Sequence, residues 1–309
     1  MQLVRQKEKM RGYRARAVLA ALVVTALAAC AAEEPSGPRE GGPPAAAGAE
    51  RKAGEGASGA LEAYAEKVRR TQAVRAAAAR KWGLERTPLA APPPPAEKPE
   101  ITTREGFEVA GGDALPPVFT TVPTKEKIVF LTIDDGAEKD PELLRMMSEL
   151  GIPYSAFLSD YVISDDYGYF EKMRDSGVAL HNHTLNHRYL PGLSRARQER
   201  EICGQQDRME KRFGTRPRLF RPPYGNYNGD TLRVAKSCGI EAVPLWAAEA
   251  FPDRMEWREW DRDLHPGDII LTHFRGEDEW KGSMADMIRR VMHTVTERGY
   301  AVARLEDYV

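Results

Sequence analysis

The chain has 309 residues, with 45 Lys and Arg against 46 Asp and Glu, so its formal net charge is −1. This balance gives no electrostatic reason to expect a nucleic acid as partner. The length suits one large domain or two small ones. Composition divides the chain, because roughly the first hundred residues are rich in Ala, Gly, Pro, Glu and Arg, whereas the remainder has the apolar runs and aromatics of a packed core.

Residues 1–29 are typical of an export signal. Arg11, Arg14 and Arg16 precede the apolar run AVLAALVVTALAA, which is short for a membrane span. The run ends in LAAC, and the small residues before Cys30 resemble the lipobox of bacterial lipoproteins. The resemblance implies cleavage before Cys30 and a lipid anchor at the outer face of the bacterial cell membrane. An ordinary secreted protein and an uncleaved signal anchor are the alternatives.

The composition of residues 30–100 predicts a linker that is partly disordered, partly helical and partly proline-rich. The part up to about Ser58 has few large apolar residues and is expected to be disordered. An Ala-rich, charged helix should follow, with a weak apolar stripe at Leu61, Tyr64 and Val68. The run APPPPAEKP then predicts a stiff polyproline-like segment.

Strand and helix patterns alternate from about Phe119 onward, within a predicted domain at residues 115–309. Apolar runs predict the strands KIVFLTI, YSAFLS, VALH, RLF, EAVPLW, DIILTH and YAVARL. Helices are predicted between them, such as DPELLRMMSELG, with Asp140 as N-cap and Gly151 after its end. This alternation favours an α/β fold with a parallel sheet. About seven strands suit an irregular, shortened (β/α) barrel, with a doubly wound open sheet as the alternative.

Polar clusters follow four of the predicted strands. Asp134 and Asp135 end the first strand, and HNHTLNH, RPPYG and HF follow three others. In parallel α/β folds, chemistry gathers at the carboxyl ends of the strands. We therefore expect these clusters to converge.

The spacing of two histidines predicts a metal site. His183 and His187 are four residues apart, so on a helical turn they would share a face and bind one ion. A catalytic metal needs a third protein ligand, which one of the adjacent carboxylates can supply. The ion would relieve their mutual repulsion and leave the other carboxylate as a base. His181 lies on the preceding strand and is not expected to be a ligand.

Four motifs, TIDDG, HTLNH, RPPYG and LHPGDIILTH, resemble in that order the motifs of the polysaccharide deacetylases, which form carbohydrate esterase family 4 and are also called the NodB-homology domain. The resemblance covers about residues 125–309. It implies a hydrolase that removes N-acetyl groups from peptidoglycan or chitin-like glycans and releases acetate. It further implies that Asp134 is the general base and that Asp135, His183 and His187 hold a divalent metal, with zinc expected.

The other motifs imply roles around this centre. Arg221 would orient the base, Tyr224 would offer its backbone N–H to the oxyanion, and His273 would be the general acid. Apolar walls around the acetyl methyl group would complete the substrate pocket, formed by Trp246, Leu271 and Pro223.

One departure from the family pattern concerns the proposed acid. Many members carry an Asp-Trp pair after the strand that here ends in PLW, whereas this chain continues AAEAFPDRMEW. Glu249 and Asp253 are the candidate substitutes for the missing carboxylate. Because the pair is absent, a catalytically impaired, cell-wall glycan-binding lipoprotein is an alternative function. A hydrolase of the same fold that acts on O-acetyl esters or other amides is a further alternative.

Two cysteines lie inside the predicted domain. Export to an oxidising compartment makes a disulfide between Cys203 and Cys238 the expectation. Two buried free thiols are the alternative.

Overall fold

The computed structural model describes residues 47–309. The predicted signal segment and Cys30 lie outside this range, so the lipoprotein signal stays a prediction. The chain divides into two units, residues 1–57 and 58–309, and the second contains the sheet. None of the helices in the described range is both long and apolar enough to span a membrane.

Seven α-helices are found in the described residues. Helix α2 has the predicted ends, because the Asp140 side chain accepts from Glu142 N–H and Gly151 adopts the left-handed conformation. Two short helices between the second and third predicted strands were not expected. The helices are α1 (Ala47–Lys81), α2 (Pro141–Leu150), α3 (Asp160–Ile163), α4 (Tyr167–Asp175), α5 (Arg195–Phe213), α6 (Gly229–Ser237) and α7 (Met284–Glu297).

The strands of the described residues form a mostly parallel sheet and a separate parallel pair. The main sheet has the order β4-β3-β2-β8-β6-β7, with β9 also paired to β2, and β7 is antiparallel to β6. The pair is β1-β5. The strands are β1 (Val118–Phe119), β2 (Ile128–Asp135), β3 (Ser155–Leu158), β4 (Ala179–Asn182), β5 (Val243–Pro244), β6 (Ala248–Ala250), β7 (Met255–Trp257), β8 (Ile269–His273) and β9 (Ala301–Ala303).

Strand β2 is the centre of the sheet. All eight of its residues are buried, as expected for an apolar strand covered on both faces. It pairs with β8 on one side, and on the other with β9 along its first half and β3 along its second. The register places Asp134 beside Phe157 of β3 and His273 of β8. The predicted first strand therefore carries its acidic end into the middle of the sheet.

The α/β class and the parallel sheet are confirmed, but the predicted barrel is not, since the described strands form no closed sheet. Beyond β4 the ladder continues through the isolated bridges Asn182 to Phe220 and Leu219 to Ala242. The expected strands RLF and EAVPLW are thus reduced to bridges and the two-residue β5. Prolines explain the interruption, because Pro222 and Pro244 lack the N–H that a ladder needs.

Two further connections join helices and the linker around this sheet. Cys203 in α5 and Cys238 at the end of α6 form a disulfide, with their Cα atoms 5.1 Å apart. The end of the predicted linker is packed on the domain, because Ala79 and Trp82 are buried and Trp82 Nε1 donates to Glu149 at 2.8 Å.

Candidate metal centre

Two adjacent carboxylates end β2, and both are about 1% exposed. Consecutive strand residues normally point to opposite faces. Here Asp135 has φ 78°, and the next residue, Gly136, has φ 96°. This turn breaks the alternation, so that Asp134 and Asp135 both place an oxygen within 4 Å of His183 Nε2. A left-handed non-glycine residue costs about 1–3 kcal/mol, and such strain is typical of functional sites.

The two histidines lie on a bend, so the predicted helical turn at residues 183–187 is wrong. Thr184 and His187 have φ of 71° and 52°. Side chains hold the bend, because the Asn182 side-chain oxygen accepts from Thr184 N–H and Thr184 Oγ1 accepts from His187 N–H. Asn and Thr readily replace helical hydrogen bonds in this way. Asn186 is fixed separately by the buried carboxylate of Glu201.

Asp135, His183 and His187 converge on one point. Asp135 Oδ1 is 3.5 Å from His183 Nε2 and 3.3 Å from His187 Nε2, and one ligand atom of each residue lies within 4.8 Å of the others. His183 Nδ1 donates to the Arg221 carbonyl at 2.7 Å, which directs Nε2 toward the group. The predicted ligand set is thus brought together.

The donor atoms fit a divalent cation. Among the residues that the structure describes, none makes a hydrogen bond to the buried Asp135 Oδ1. A buried, unpartnered carboxylate oxygen is costly, and a cation would satisfy it. Ligand atoms about 2 Å from a shared ion lie roughly 3.3 Å apart in tetrahedral geometry. Two imidazoles and one carboxylate also match the protein ligands of catalytic zinc sites, which keep a position open.

Burial and neighbouring charges shift the pKa of all three predicted ligands. Burial lowers the pKa of His187 to about 4, and neighbouring His183 contributes in the same direction, so its imidazole is neutral at pH 7. Burial alone would raise the pKa of Asp135, but the His183 imidazole outweighs it and holds this pKa below its usual range. Burial would lower the pKa of His183, whereas the charges of Asp134 and Asp135 raise it. The carboxylate pair thus attracts positive charge to this point.

Arg221 holds Asp134, the neighbouring carboxylate that is not a predicted metal ligand. Its Nη1 donates to Asp134 Oδ1 at 2.7 Å and to Thr132 Oγ1 at 2.9 Å, and its Nε donates to the Pro244 carbonyl at 2.8 Å. The guanidinium is fully buried and lies over the Phe157 ring. Asp134 Oδ2 is left facing His183, 3.8 Å from Nε2.

His273 lies across the β2–β8 ladder from Asp134, and a carboxylate is found beside it. Its Nδ1 is 3.5 Å from Glu249 Oε1, whereas Asp253 lies in an exposed turn and pairs with Arg254. Between the two candidate substitutes, Glu249 is therefore the one in place. Burial lowers the pKa of His273, and burial together with Glu256 raises the pKa of Glu249 to about 7. The unpredicted β6–β7 hairpin provides this contact.

The centre opens into a cavity of about 360 Å³. Predicted wall residues Trp246 and Leu271 line it, and Tyr224, 61% exposed with φ 61°, stands at its rim. Pro223 is buried and does not line the cavity, so the geometry does not support its predicted role in the pocket; its neighbour Pro222 lines the cavity instead. Besides Pro222, sequence reasoning missed four lining residues, namely Phe251, Arg275, Glu279 and Trp280.

His181 lies apart from the ligand group, as expected. Its Nε2 is 2.8 Å from Glu306 Oε1, and its ring packs 5.0 Å from the Phe157 ring. Glu306 also accepts from Ser155 Oγ at 2.6 Å. This buried network connects the C-terminal residues to β3 and β4.

Comparisons with known proteins show what this chain is similar to. Residues 121–243 match the family model described as polysaccharide deacetylase. An uncharacterized protein of Streptomyces coelicolor is 41% identical over 216 residues, which cover 70% of this chain and 86% of that protein. A peptidoglycan-N-acetylglucosamine deacetylase of Bacillus cereus is 26% identical over 200 residues, which cover 60% of this chain and 90% of that enzyme.

A solved structure shows the same fold. A family 4 carbohydrate esterase from Bacillus anthracis superposes with a TM-score of 0.51 at 25% identity. The superposition covers 62% of this chain and 86% of that one.

Proposed function

Because this chain belongs to the polysaccharide deacetylase family, we propose that it is a metal-dependent hydrolase that removes N-acetyl groups from amino-sugar glycans. The observation that carries the proposal is the convergence of Asp135, His183 and His187 on a buried, unpartnered carboxylate oxygen beside Asp134. A divalent cation bound there supplies Lewis-acid polarisation of the acetyl carbonyl and acidifies water. Zinc is proposed because its catalytic sites combine imidazole and carboxylate ligands.

Asp134 and His273 each carry out one of the two proton transfers. Asp134 accepts a proton from the attacking water, and Arg221 fixes the Asp134 oxygen that does not take part. As the amide C–N bond breaks, His273 gives a proton to the leaving nitrogen, so that the products are acetate and a free amine. Trp246 and Leu271 form an apolar wall that suits the acetyl methyl group.

We further propose that the substrate is peptidoglycan or a chitin-like oligomer and that the protein is exported. The Bacillus cereus deacetylase supports peptidoglycan, and the signal-like residues 1–29 support export. Lipidation at Cys30 would hold the protein at the outer face of the cell membrane through its lipid anchor. Release as a secreted protein is the alternative.

The test measures metal content and acetate release together. Wild-type protein should release acetate from peptidoglycan or from N-acetylglucosamine oligomers, a chelator should abolish the release, and Zn²⁺ should restore it. Asp134→Asn should keep its metal and lose about 10²–10⁴-fold in rate, while the exposed control Asp253→Asn should change neither. Absence of acetate from every glycan would contradict the proposal.

The missing Asp-Trp pair favours a second candidate, a catalytically impaired glycan-binding protein. Glu249 has a pKa of about 7, so the carboxylate beside His273 is partly protonated near neutral pH. This candidate predicts glycan retention without turnover, unaffected by Asp134→Asn. A panel that includes O-acetyl esters and other amides would identify a hydrolase of different specificity.

A further inference from the structure

Arg275 forms a hydrogen bond to Asp135, the carboxylate among the three predicted metal ligands. It lies two residues beyond His273, and its Nη2 donates to Asp135 Oδ2 at 2.5 Å. The other oxygen, Oδ1, is the unpartnered atom that faces His183 and His187. One oxygen of Asp135 is therefore bound by Arg275, and the other faces the point where a metal ion would bind.

Arg275 is itself held in place. Its Nη1 donates to both carboxylate oxygens of Glu279, at 2.8 and 2.9 Å, and its backbone N–H donates to the His273 carbonyl at 3.0 Å. Its side chain is 23% exposed. Because Glu279 holds Nη1 of the planar guanidinium, Nη2 is directed at Asp135.

Fixing one oxygen has a consequence for metal binding. A carboxylate with two free oxygens can rotate or bind a cation through both atoms. Asp135 also occupies a strained backbone position, with φ 78°. The hydrogen bond from Arg275 limits its side chain to one orientation, in which Oδ1 alone is presented beside the two imidazoles.

The positive charge of Arg275 would weaken metal binding, whereas its orienting hydrogen bond would strengthen it. A guanidinium near a divalent cation repels it, so a purely electrostatic influence would weaken metal binding, and removing Arg275 would tighten it. An orienting influence predicts the reverse, because loss of Arg275 would free Asp135 to rotate. The two effects differ in sign, which makes the role measurable.

The geometry points to Arg275 as a positioning residue that orients Asp135 for metal binding, with Glu279 as its anchor. This inference rests on the proposed metal-dependent function. Arg275 stands outside the four motifs that carry the family resemblance, just after the last of them ends at His273.

The experiment titrates Zn²⁺ into metal-free full-length protein against a competing chelator. Arg275→Gln should bind Zn²⁺ about 10–100-fold more weakly than wild type, a range typical of residues that orient metal ligands. Arg275→Lys, which keeps the charge but loses the fork, should also bind more weakly. Glu279→Gln should produce a smaller loss. Arg216→Gln serves as the matched control, because Arg216 likewise bridges two carboxylates, Asp207 and Glu210, away from the site.

A second readout separates orientation from general damage. The visible spectrum of bound Co²⁺ should change in Arg275→Gln and stay unchanged in Arg216→Gln, while the melting temperatures of both metal-free variants report folding. Should Arg275→Gln fail to fold, Arg275→Lys carries the test. Equal or tighter Zn²⁺ binding in the Arg275 variants would overturn the inference and leave the proposed function standing. A wild-type protein that binds no metal would overturn both.

Discussion

The Arg221 guanidinium and the Asp134 carboxylate form a buried ion pair, with Nη1 and Oδ1 2.7 Å apart and both side chains no more than 2% exposed. A buried pair of this kind contributes little net stability relative to apolar residues, but loss of one partner leaves an uncompensated charge. Arg221 also donates to backbone and hydroxyl oxygens. The pair therefore fixes the proposed base in one orientation.

Arg221→Met should reduce both stability and activity. We expect the free energy of unfolding to fall by about 3–5 kcal/mol, because Asp134 would remain buried without its partner. Acetate release should be lost as well, since Oδ1 would no longer be fixed. Urea unfolding and an acetate assay check these outcomes. Arg218→Met, which breaks an exposed pair with Glu241, should cost under about 1 kcal/mol and leave activity unchanged.

Metal content should depend on His183 and not on His181. His183→Ala and His187→Ala each remove a ligand atom, so both should reduce bound Zn²⁺ well below the wild-type amount. His181→Ala is a matched buried control that should lose stability but keep its metal. Elemental analysis after equilibrium dialysis measures this difference. A full metal complement in His183→Ala would show that the ligand set is wrong.

Glu249→Gln should slow the reaction at alkaline pH. A carboxylate beside Nδ1 favours the protonated form of His273, so removing its charge lowers the pKa of His273 further. The proposed acid would then lose its proton at a lower pH. We expect kcat to drop roughly tenfold or more and the alkaline limb of the rate profile to move to lower pH. Asp253→Asn should leave the profile in place; an identical profile for both variants would exclude Glu249 as the partner of His273.

Glu306→Gln should destabilise the protein in a pH-dependent way. Burial alone would raise the pKa of Glu306, but hydrogen bonding to His181, together with Ser155, lowers it to about 2, from an ordinary value of 4.5. A depressed folded-state pKa contributes stability that is present above pH 4.5 and is lost as the pH falls toward 2. The variant should thus lose about 2–3 kcal/mol at pH 7 and progressively less between pH 4.5 and 2.

Chemical denaturation at several pH values measures this dependence. Glu85→Gln, at an 82% exposed side chain, is the control and should show no such trend. A destabilisation by Glu306→Gln that stays constant down to pH 2 would contradict the explanation based on the lowered pKa of Glu306.

Local patterns predicted most of the elements. The N-cap at Asp140 and the left-handed Gly151 set the ends of α2, because capping depends on residues within one turn. The apolar run of β2 predicted a buried strand, because this pattern too depends only on neighbouring residues. Errors occurred where distant residues decide. At His183–His187, the Glu201 carboxylate in α5 accepts from the Asn186 backbone and side chain, and this contact from outside the segment replaces the expected helical turn together with the local bond from Thr184 N–H to Asn182.

The site could be predicted in part. Asp134, Asp135 and the two histidines are recognisable because each follows a predicted strand, and parallel strands bring such ends together. Glu249 was one of two open candidates until the β6–β7 hairpin placed it beside His273. Arg275 had one signal, a basic residue just after a strand end, but nothing in the sequence indicated that it reaches Asp135.

The sequence by itself determined which chemical groups this protein brings to its strand ends, because residue type and short-range pattern are local properties of the chain. The tertiary structure alone decided how the two oxygens of Asp135 are shared and which carboxylate accompanies His273. Those outcomes depend on ångström-scale distances between segments about 25 to 140 residues apart, which are set by strand register and backbone turns rather than by composition.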